Sequence, residues 1–289
     1  MMAETPAKLL LCTNGNLHTR PALEYGVWLA GVTNKDVHLL GIVETGHDSS
    51  PVEDLLAETA DRLEQTGVSC LTTIEPGNSP QVIAQYANQG RYLTIVGPLG
   101  RSAWRRAVHG RSIRRIMQQL TSPILYVRNA QLKLDRILLC MGGLGYAVSM
   151  EMAALELAKS TGARVVLLHV VEPVTLAYPT AIEIQSHWQT ILETNTPQGR
   201  NLKRALDLAQ ATGLQIELKV QRGNVVHEIL AEAQQGNYDL IGLGSPYSAH
   251  SLRHLYLPNV TADVAEALEC PILTVRQSEA VLDRNADSP

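Results

Sequence analysis

Cysteine is scarce in this chain of 289 residues, which contains only four. No two of them form a C-x-x-C pair, and each lies in or beside an apolar, strand-like segment. This distribution argues against a disulfide framework and against a zinc site with the usual ligand spacing. We therefore expect reduced cysteines in the protein core, at Cys12, Cys70, Cys140 and Cys270.

Long apolar segments and excess positive charge are also lacking. No stretch of about 18 apolar residues occurs, so we expect no membrane-spanning helix. Residues 1–8 lack the basic and apolar segments of a secretory signal, and we expect a cytoplasmic protein. The formal net charge of −4 argues against a nucleic-acid partner, because binding to phosphate backbones requires a broad basic surface.

Common catalytic motifs are absent as well. The chain has no G-x-x-x-x-G-K-[ST], no G-x-S-x-G and no H-E-x-x-H, which argues against a P-loop NTPase, an α/β-hydrolase and a zinc protease. His250 and His254 are four residues apart but have no evident third partner, so no metal site is predicted. We predict no catalytic residue; Glu44 and Asp48, after the second predicted strand, are the nearest candidate acids.

What the chain does contain is an internal repeat. Short segments recur in the same order, and their spacing grows along the chain. Residues 9–12 match 137–140 at an offset of 128 residues, Gly77 matches Gly223 at an offset of 146, and residues 123–128 match 271–276 at an offset of 148. We therefore predict two domains, 1–130 and 131–289.

The growing offset indicates an insertion in the second copy, at about 174–213. Pro179 and Pro197 are expected to divide it into two helical pieces. Ile182, Ile184, Trp188 and Ile191 predict an apolar face there, which serves either as core or as a contact for a partner. The residues from 277 onward are predicted to form a loose polar tail.

Each copy alternates strand-like and helix-like segments. In the first copy, apolar runs of strand length cover residues 8–13, 37–44, 68–74, 91–97 and 123–128. Strands that are apolar on both faces, with helices between them, imply a parallel sheet covered on both sides. The predicted fold class is therefore α/β, with two tandem Rossmann-like domains. Each is expected to be a five-stranded, doubly wound parallel sheet with helices on both faces.

Glycines cluster where a ligand would bind to such a sheet, at the carboxyl ends of its strands. Gly15 follows the first predicted strand, Gly97 and Gly100 follow the fourth, and Gly110 opens the last predicted helix. Glycines expose backbone N–H groups, and a helix N-terminus favours an anion. The pattern predicts a phosphate site, and ordinary turns are the alternative.

The spacing G-x2-G-x9-G, the repeated P-I-L-x-V-R ending and the segment N-G-N-L-H-T after the first strand resemble a tandem universal stress protein. The resemblance implies a Rossmann-like fold that binds ATP or AMP, with or without Mg²⁺. It places the phosphates at the glycines and Ser112, the ribose near Asn14 and the base near Val43. The nucleotide-binding residues it implies are Asn14, Val43, Gly97, Gly100, Gly110, Arg111 and Ser112.

Two residues of the first copy depart from the family pattern. Asn14 replaces an aspartate, although its amide still donates and accepts hydrogen bonds. Arg111 replaces Ser or Thr, and its guanidinium is expected to bind a phosphate instead.

The second copy departs further. Gly142 stands at the aspartate position, Tyr247 at the second glycine, and Pro258 and Asn259 where the third glycine should open the helix. We predict that this copy does not bind ATP in the family manner.

The resemblance implies a stress-response or signalling protein that binds an adenine nucleotide in its first domain and acts through an unknown protein partner. It also implies a pseudo-dimer within the chain, and a homodimer remains an option. Two alternatives stay open, a nucleotide-free interaction scaffold and a slow ATPase or self-phosphorylating enzyme.

Overall fold

The computed structural model describes residues 6–100, 116, 119, 120, 122–129, 131–142, 148–173, 179–245 and 260–276. The chain divides into two compact units. Unit 1 comprises residues 1–133 and 269–276, and unit 2 comprises 134–268 and 277–289. Residues 269–276 therefore belong to unit 1, although the repeat pattern assigns them to the second copy.

Strands and helices alternate along most of the described residues. The strands are β1 (Lys8–Thr13), β2 (Val37–Val43), β3 (Cys70–Pro76), β4 (Tyr92–Val96), β5 (Ile124–Tyr126), β6 (Arg136–Cys140), β7 (Arg164–Val171), β8 (Ile216–Arg222), β9 (Leu240–Ser245) and β10 (Ile272–Arg276). The helices are α1 (Arg20–Thr33), α2 (Ser50–Gln65), α3 (Ser79–Gln89), α4 (Val148–Thr161), α5 (Pro179–Ser186), α6 (Pro197–Ala211), α7 (Val225–Gly236) and α8 (Val260–Ala267). This architecture confirms the predicted α/β class.

The sheet of unit 1 has the strand order β3-β2-β1-β4-β5-β10. The first five strands are parallel, and β10 pairs antiparallel with β5. Helices cover both faces, because Gly41 of β2 approaches Val52 and Leu56 of α2, whereas His38 of the same strand contacts Tyr86 of α3. Residues three apart in a strand point to opposite faces, so α2 and α3 lie on opposite sides.

Among its described residues, unit 2 has four parallel strands in the order β9-β6-β7-β8. Helix α4 packs on β6, β7 and β9, while α7 packs on β7 and α8 on β9. The fifth strand of the second copy, β10, is absent from this unit because it lies in unit 1. The parallel, doubly wound arrangement of the repeat is thus present in unit 2 without its last strand.

The insertion contains α5 and a 3-10 helix, Trp188–Glu193, ahead of α6. Pro179 and Pro197 each stand at the first position of a helix, where proline is tolerated because the N–H it lacks would be unpaired. Ile191 is buried, whereas Ile182 is 53% exposed. Of the predicted apolar face, Ile191 therefore belongs to the core, whereas Ile182 does not.

Aliphatic side chains of the central strands form the cores. Leu9, Leu10 and Leu11 of β1 have no exposed surface, as expected for a parallel strand covered on both faces. Cys12 and Cys140 are buried, and burial raises the pKa of both thiols. Cys70 is exposed, so its predicted core position is wrong: β3 lies at the edge of the sheet.

Within the described part of the chain, no helix has both the length and the apolar character needed to cross a membrane.

Candidate functional site

The strand order of unit 1 reverses between β1 and β4. The chain runs outward from β1 to β2 and β3, and then returns to β4 on the other side of β1. In open parallel sheets such a reversal is the place where a ligand crevice is expected, here at the carboxyl ends of β1 and β4. Two loops border it, the β1 loop (residues 14–16) and the β4 loop (residues 97–100).

Hydrogen bonds from two asparagines join these loops. The amide nitrogen Nδ2 of Asn14 donates to the carbonyl oxygen of Leu99 over 3.4 Å. The Nδ2 of Asn16 donates to the carbonyl oxygen of Gly100 over 3.3 Å. The structure thus brings three sequence-predicted residues, Asn14, Gly97 and Gly100, to one crevice.

Threonine hydroxyls hold the β1 loop in place. Thr13 and Thr19 share a hydrogen bond of 2.6 Å between their Oγ1 atoms, and the N–H of Gly15 donates to Thr13 Oγ1 over 3.2 Å. Thr19 Oγ1 also donates to the carbonyl oxygen of Asn16 over 2.7 Å. Gly15 has a φ of +78°, a left-handed conformation that glycine adopts without a steric penalty.

Close packing explains both glycines of the β4 loop. A Cβ atom at Gly97 would lie 2.9 Å from Thr19 Cα and 3.1 Å from the carbonyl oxygen of His18. A Cβ atom at Gly100 would lie 2.7 Å from Asn16 Nδ2. Backbone packing therefore requires glycine at position 97 even when no ligand is bound, whereas a Cβ atom at position 100 would displace the Asn16 side chain.

The predicted base-binding residue, Val43, ends β2. Its carbonyl oxygen accepts a hydrogen bond of 3.0 Å from the N–H of Gly77, so its main chain faces β3. Neighbouring residues of a strand direct their main-chain groups to opposite sides. The main chain of Ile42 consequently faces β1 and the crevice, one residue before the position that the resemblance indicated.

The two candidate acids near β2 have local hydrogen-bonding partners. Glu44 Oε1 accepts a hydrogen bond of 2.7 Å from the hydroxyl of Ser79, at the start of α3. Asp48 Oδ1 accepts from the N–H and the hydroxyl of Ser50, at the start of α2. Both carboxylates thus stabilise helix N-termini.

Three predicted phosphate-binding residues, Gly110, Arg111 and Ser112, lie outside the described residues, as do Tyr247, Pro258 and Asn259 of the second copy.

In unit 2, the strand order reverses between β6 and β9, and Gly142 stands where unit 1 has Asn14. The residue before Gly142, Met141, contacts a buried histidine of β7. His169 Nδ1 donates a hydrogen bond of 2.8 Å to the carbonyl oxygen of Met141. Burial lowers the pKa of His169, although this hydrogen bond acts in the opposite direction. His169 of β7 therefore supports the main chain at the end of β6.

A second polar cluster of unit 2 surrounds the buried carboxylate of Glu232. It accepts hydrogen bonds from Lys219 Nζ at 2.7 Å, Tyr238 Oη at 2.6 Å and Gln221 Nε2 at 3.1 Å. Burial alone would raise its pKa, but the hydrogen bonds from Lys219 and Tyr238 and the positive charges of Lys219 and Arg136 lower it. Since Lys219 and Gln221 lie in β8, Glu232 in α7 and Tyr238 just before β9, this cluster ties α7 to the sheet and supports the fold.

Sequence patterns missed part of the crevice. Asn16, two residues after Asn14 in the segment N-G-N, was not singled out as a site residue. The carbonyl groups of Leu99 and Gly100 leave no sequence signal, because every residue has a carbonyl group and only the fold selects which ones meet a side chain.

Comparison with known proteins places the chain in a family. Residues 133–276 match the model of the universal stress protein family. The chain belongs to the universal stress protein family. The match lies in the second copy, the one whose glycine positions have diverged.

Solved structures of similar fold cover nearly the whole chain. A universal stress protein from Archaeoglobus fulgidus DSM 4304 is 16% identical, with a TM-score of 0.67; the match covers 95% of this chain and 100% of that one. A functionally unknown protein from Pseudomonas aeruginosa PAO1 is 17% identical, with a TM-score of 0.68, over 97% and 96% of the two chains.

A universal stress protein family protein from Arabidopsis thaliana, solved with AMP bound, is 14% identical over 50% of this chain and 93% of its own, with a TM-score of 0.35. No curated protein sequence matches the chain. At such identities, the full-length matches show a shared Rossmann-like fold.

Proposed function

We propose that unit 1 of this universal stress protein binds an adenine nucleotide, ATP or AMP, at the carboxyl ends of β1 and β4. The observation that supports this proposal best is the joining of the β1 and β4 loops at the point where the strand order reverses. Ligands of open parallel sheets bind at this point. The protein then acts in a stress response through a partner that recognises the liganded state.

In this proposal the ligand lies along the crevice between the two loops. The main chain of Ile42 or Val43 faces the base, and Asn14 lies near the ribose. Gly97, Gly100 and the segment 110–112 approach the phosphates, with or without Mg²⁺. Arg111 contributes a positive charge to the phosphates.

Isothermal titration calorimetry with ATP and AMP tests this function. We expect one nucleotide per chain, because the second copy lacks the glycine pattern. Replacement of Arg111 by alanine is expected to weaken ATP binding about tenfold or more, since a hydrogen bond to a charged group contributes roughly 1.5–3 kcal/mol. AMP, which has fewer phosphates, should lose less affinity.

The matched control is Arg105→Ala, which removes the same charge from the same segment of sequence. It should leave both affinities within twofold of the wild-type values, a difference of about 0.4 kcal/mol. Equal ATP affinity for the Arg111 variant and the wild type would contradict the assigned role of Arg111. The absence of saturable binding at millimolar ATP would contradict the nucleotide function.

The nucleotide-free scaffold remains the second candidate, because internal contacts account for Asn14, Asn16, Gly97 and Gly100 without a ligand. The calorimetric experiment separates the two, since a scaffold gives no binding heat. Slow ATP hydrolysis has less support, because Glu44 and Asp48 are both engaged at helix N-termini.

A further inference from the structure

The two carboxamides that join the β1 and β4 loops are used in the same way. Each sends its nitrogen across to a main-chain carbonyl of the β4 loop, Asn14 to Leu99 and Asn16 to Gly100. The oxygen of each carboxamide accepts a hydrogen bond from the main-chain N–H two residues further along the chain. Asn14 Oδ1 accepts from the N–H of Asn16 over 3.4 Å, and Asn16 Oδ1 accepts from the N–H of His18 over 2.9 Å.

This arrangement requires an amide. A carboxamide offers a donor and an acceptor at its two ends, whereas a carboxylate offers only acceptors. An aspartate at position 14 would therefore lose the bond to Leu99 and would place a negative oxygen beside the carbonyl oxygen of that residue. Hydrogen bonds within the protein therefore explain why position 14 is an asparagine, without any contribution from a ligand.

Side-chain hydrogen bonds hold the β1 loop, which carries the two donors, and the β4 loop, which receives them, is packed. Thr13 and Thr19 fix the β1 loop through their shared hydrogen bond. Leu99 is only 4% exposed, and Gly97 packs against Thr19 and His18. Loss of the hydrogen bond from Asn14 would therefore remove one of the links that hold Leu99 beside the β1 loop.

We propose that Asn14 and Asn16 form a latch that holds the β4 loop against the β1 loop, and that Asn14 is a positioning residue for the crevice. As far as the ligand is concerned, this inference rests on the proposed function. The latch sets the position of Gly97 and Gly100 before any ligand arrives, and pre-organisation of this kind lowers the cost of binding. Introducing the acid typical of the family therefore weakens binding instead of improving it.

The latch is tested first without a ligand, by hydrogen–deuterium exchange of the full-length protein. In Asn14→Asp and Asn14→Ala, the amides of Gly97, Leu99 and Gly100 are expected to exchange roughly tenfold faster than in the wild type, in line with the loss of one net hydrogen bond. The control is Asn34→Asp, which adds the same charge at an exposed position at the end of α1. It should leave that exchange unchanged. Unchanged exchange in both Asn14 variants would overturn the latch.

The ligand arm measures AMP affinity for the same variants. We expect roughly tenfold weaker binding in Asn14→Ala as well as in Asn14→Asp, and also in Asn16→Ala, measured beside them. Because Asn16 has no assigned ligand contact and alanine adds no charge, neither a lost contact nor repulsion of the phosphate explains the loss in Asn16→Ala. Tighter binding in Asn14→Asp would mean that position 14 contacts the ligand directly, and would overturn the positioning role. If the wild type itself binds no AMP or ATP, the proposed function fails, whereas the exchange experiment still decides the latch.

Discussion

Gly97 and Gly100 lie in one loop, but an added methyl group would meet different neighbours at the two positions. At Gly97 the nearest atoms are the main chain of Thr19 and His18, which cannot move without shifting the start of α1. At Gly100 the nearest atom is the end of the Asn16 side chain, which can rotate away. The first glycine therefore supports the fold, and the second supports the arrangement of the loops.

We expect Gly97→Ala to lower the free energy of unfolding by about 1–3 kcal/mol, the usual cost of overpacking. Urea denaturation monitored by circular dichroism measures this change. The same substitution at Gly31 is the control, because a Cβ there would meet no described atom within 4 Å. Gly31→Ala should stabilise helix α1 by up to about 1 kcal/mol. Equal effects at both glycines would contradict the packing argument.

At the scale of the helices, each unit has an ion pair between two equivalent helices, but the helix that carries the arginine in one unit carries the glutamate in the other. In unit 1, Arg20 of α1 binds Glu58 of α2 through two hydrogen bonds of 3.0 and 2.7 Å. In unit 2, Glu151 of α4 binds Arg204 of α6 at 3.2 and 2.9 Å. Arg204 occupies the repeat position of Glu58, at the offset of 146 residues that relates Gly223 to Gly77.

Burial makes the unit 2 pair asymmetric. The Glu151 side chain is only 3% exposed, whereas that of Arg204 is 38% exposed. Burial raises the pKa of Glu151, and Arg204 acts in the opposite direction. The carboxylate therefore depends on the guanidinium more than the guanidinium depends on it.

We expect Arg204→Leu to destabilise the protein by about 3–5 kcal/mol, because it leaves a buried carboxylate without its partner. Glu151→Leu should cost far less, since Arg204 reaches water and the equivalent residue of the first copy, Leu23, is itself buried. Urea denaturation at pH 7 compares the two variants, and similar losses would argue against the asymmetry.

The pH dependence of Arg204→Leu provides a second check. A carboxyl whose pKa is higher in the folded state binds its proton more tightly there than in the unfolded chain, so its contribution to stability grows as the pH falls. The deficit of this variant relative to the wild type should therefore shrink as the pH is lowered from 7 toward the pKa of Glu151.

At the scale of the whole chain, the last strand belongs to the first unit. β10 pairs antiparallel with β5, with Leu273 opposite Leu125 at the centre of the register. β5 has only three residues. β10 provides its strand pairing on the side opposite β4. The end of the chain therefore contributes to the stability of its first half.

Removal of residues 269–289 is expected to lower the hydrogen-exchange protection of β5, because the strand loses its antiparallel partner β10 and keeps only β4. Protection in β7 of unit 2 should decline less. The control is removal of residues 277–289 alone, which keeps β10. Hydrogen–deuterium exchange on both truncated proteins tests this expectation, and full protection of β5 in the longer truncation would contradict it.

Residue order alone determined the repeat, the family resemblance, the α/β class and most strand positions, because these depend on local patterns. An example is the apolar run at 8–13, which coincides with β1. The glycines after β1 and β4 were also visible, since tight turns and close approaches select glycine locally.

Only the tertiary structure decided that β10 joins β5, that the amide of Asn14 reaches Leu99, and that Glu151 and Arg204 reverse the charges of unit 1. It also showed that Cys70 lies on an edge strand rather than in the core. Each of these facts concerns residues far apart in the chain. A local pattern states that a side chain can donate, pair or be buried, whereas the fold alone selects its partner.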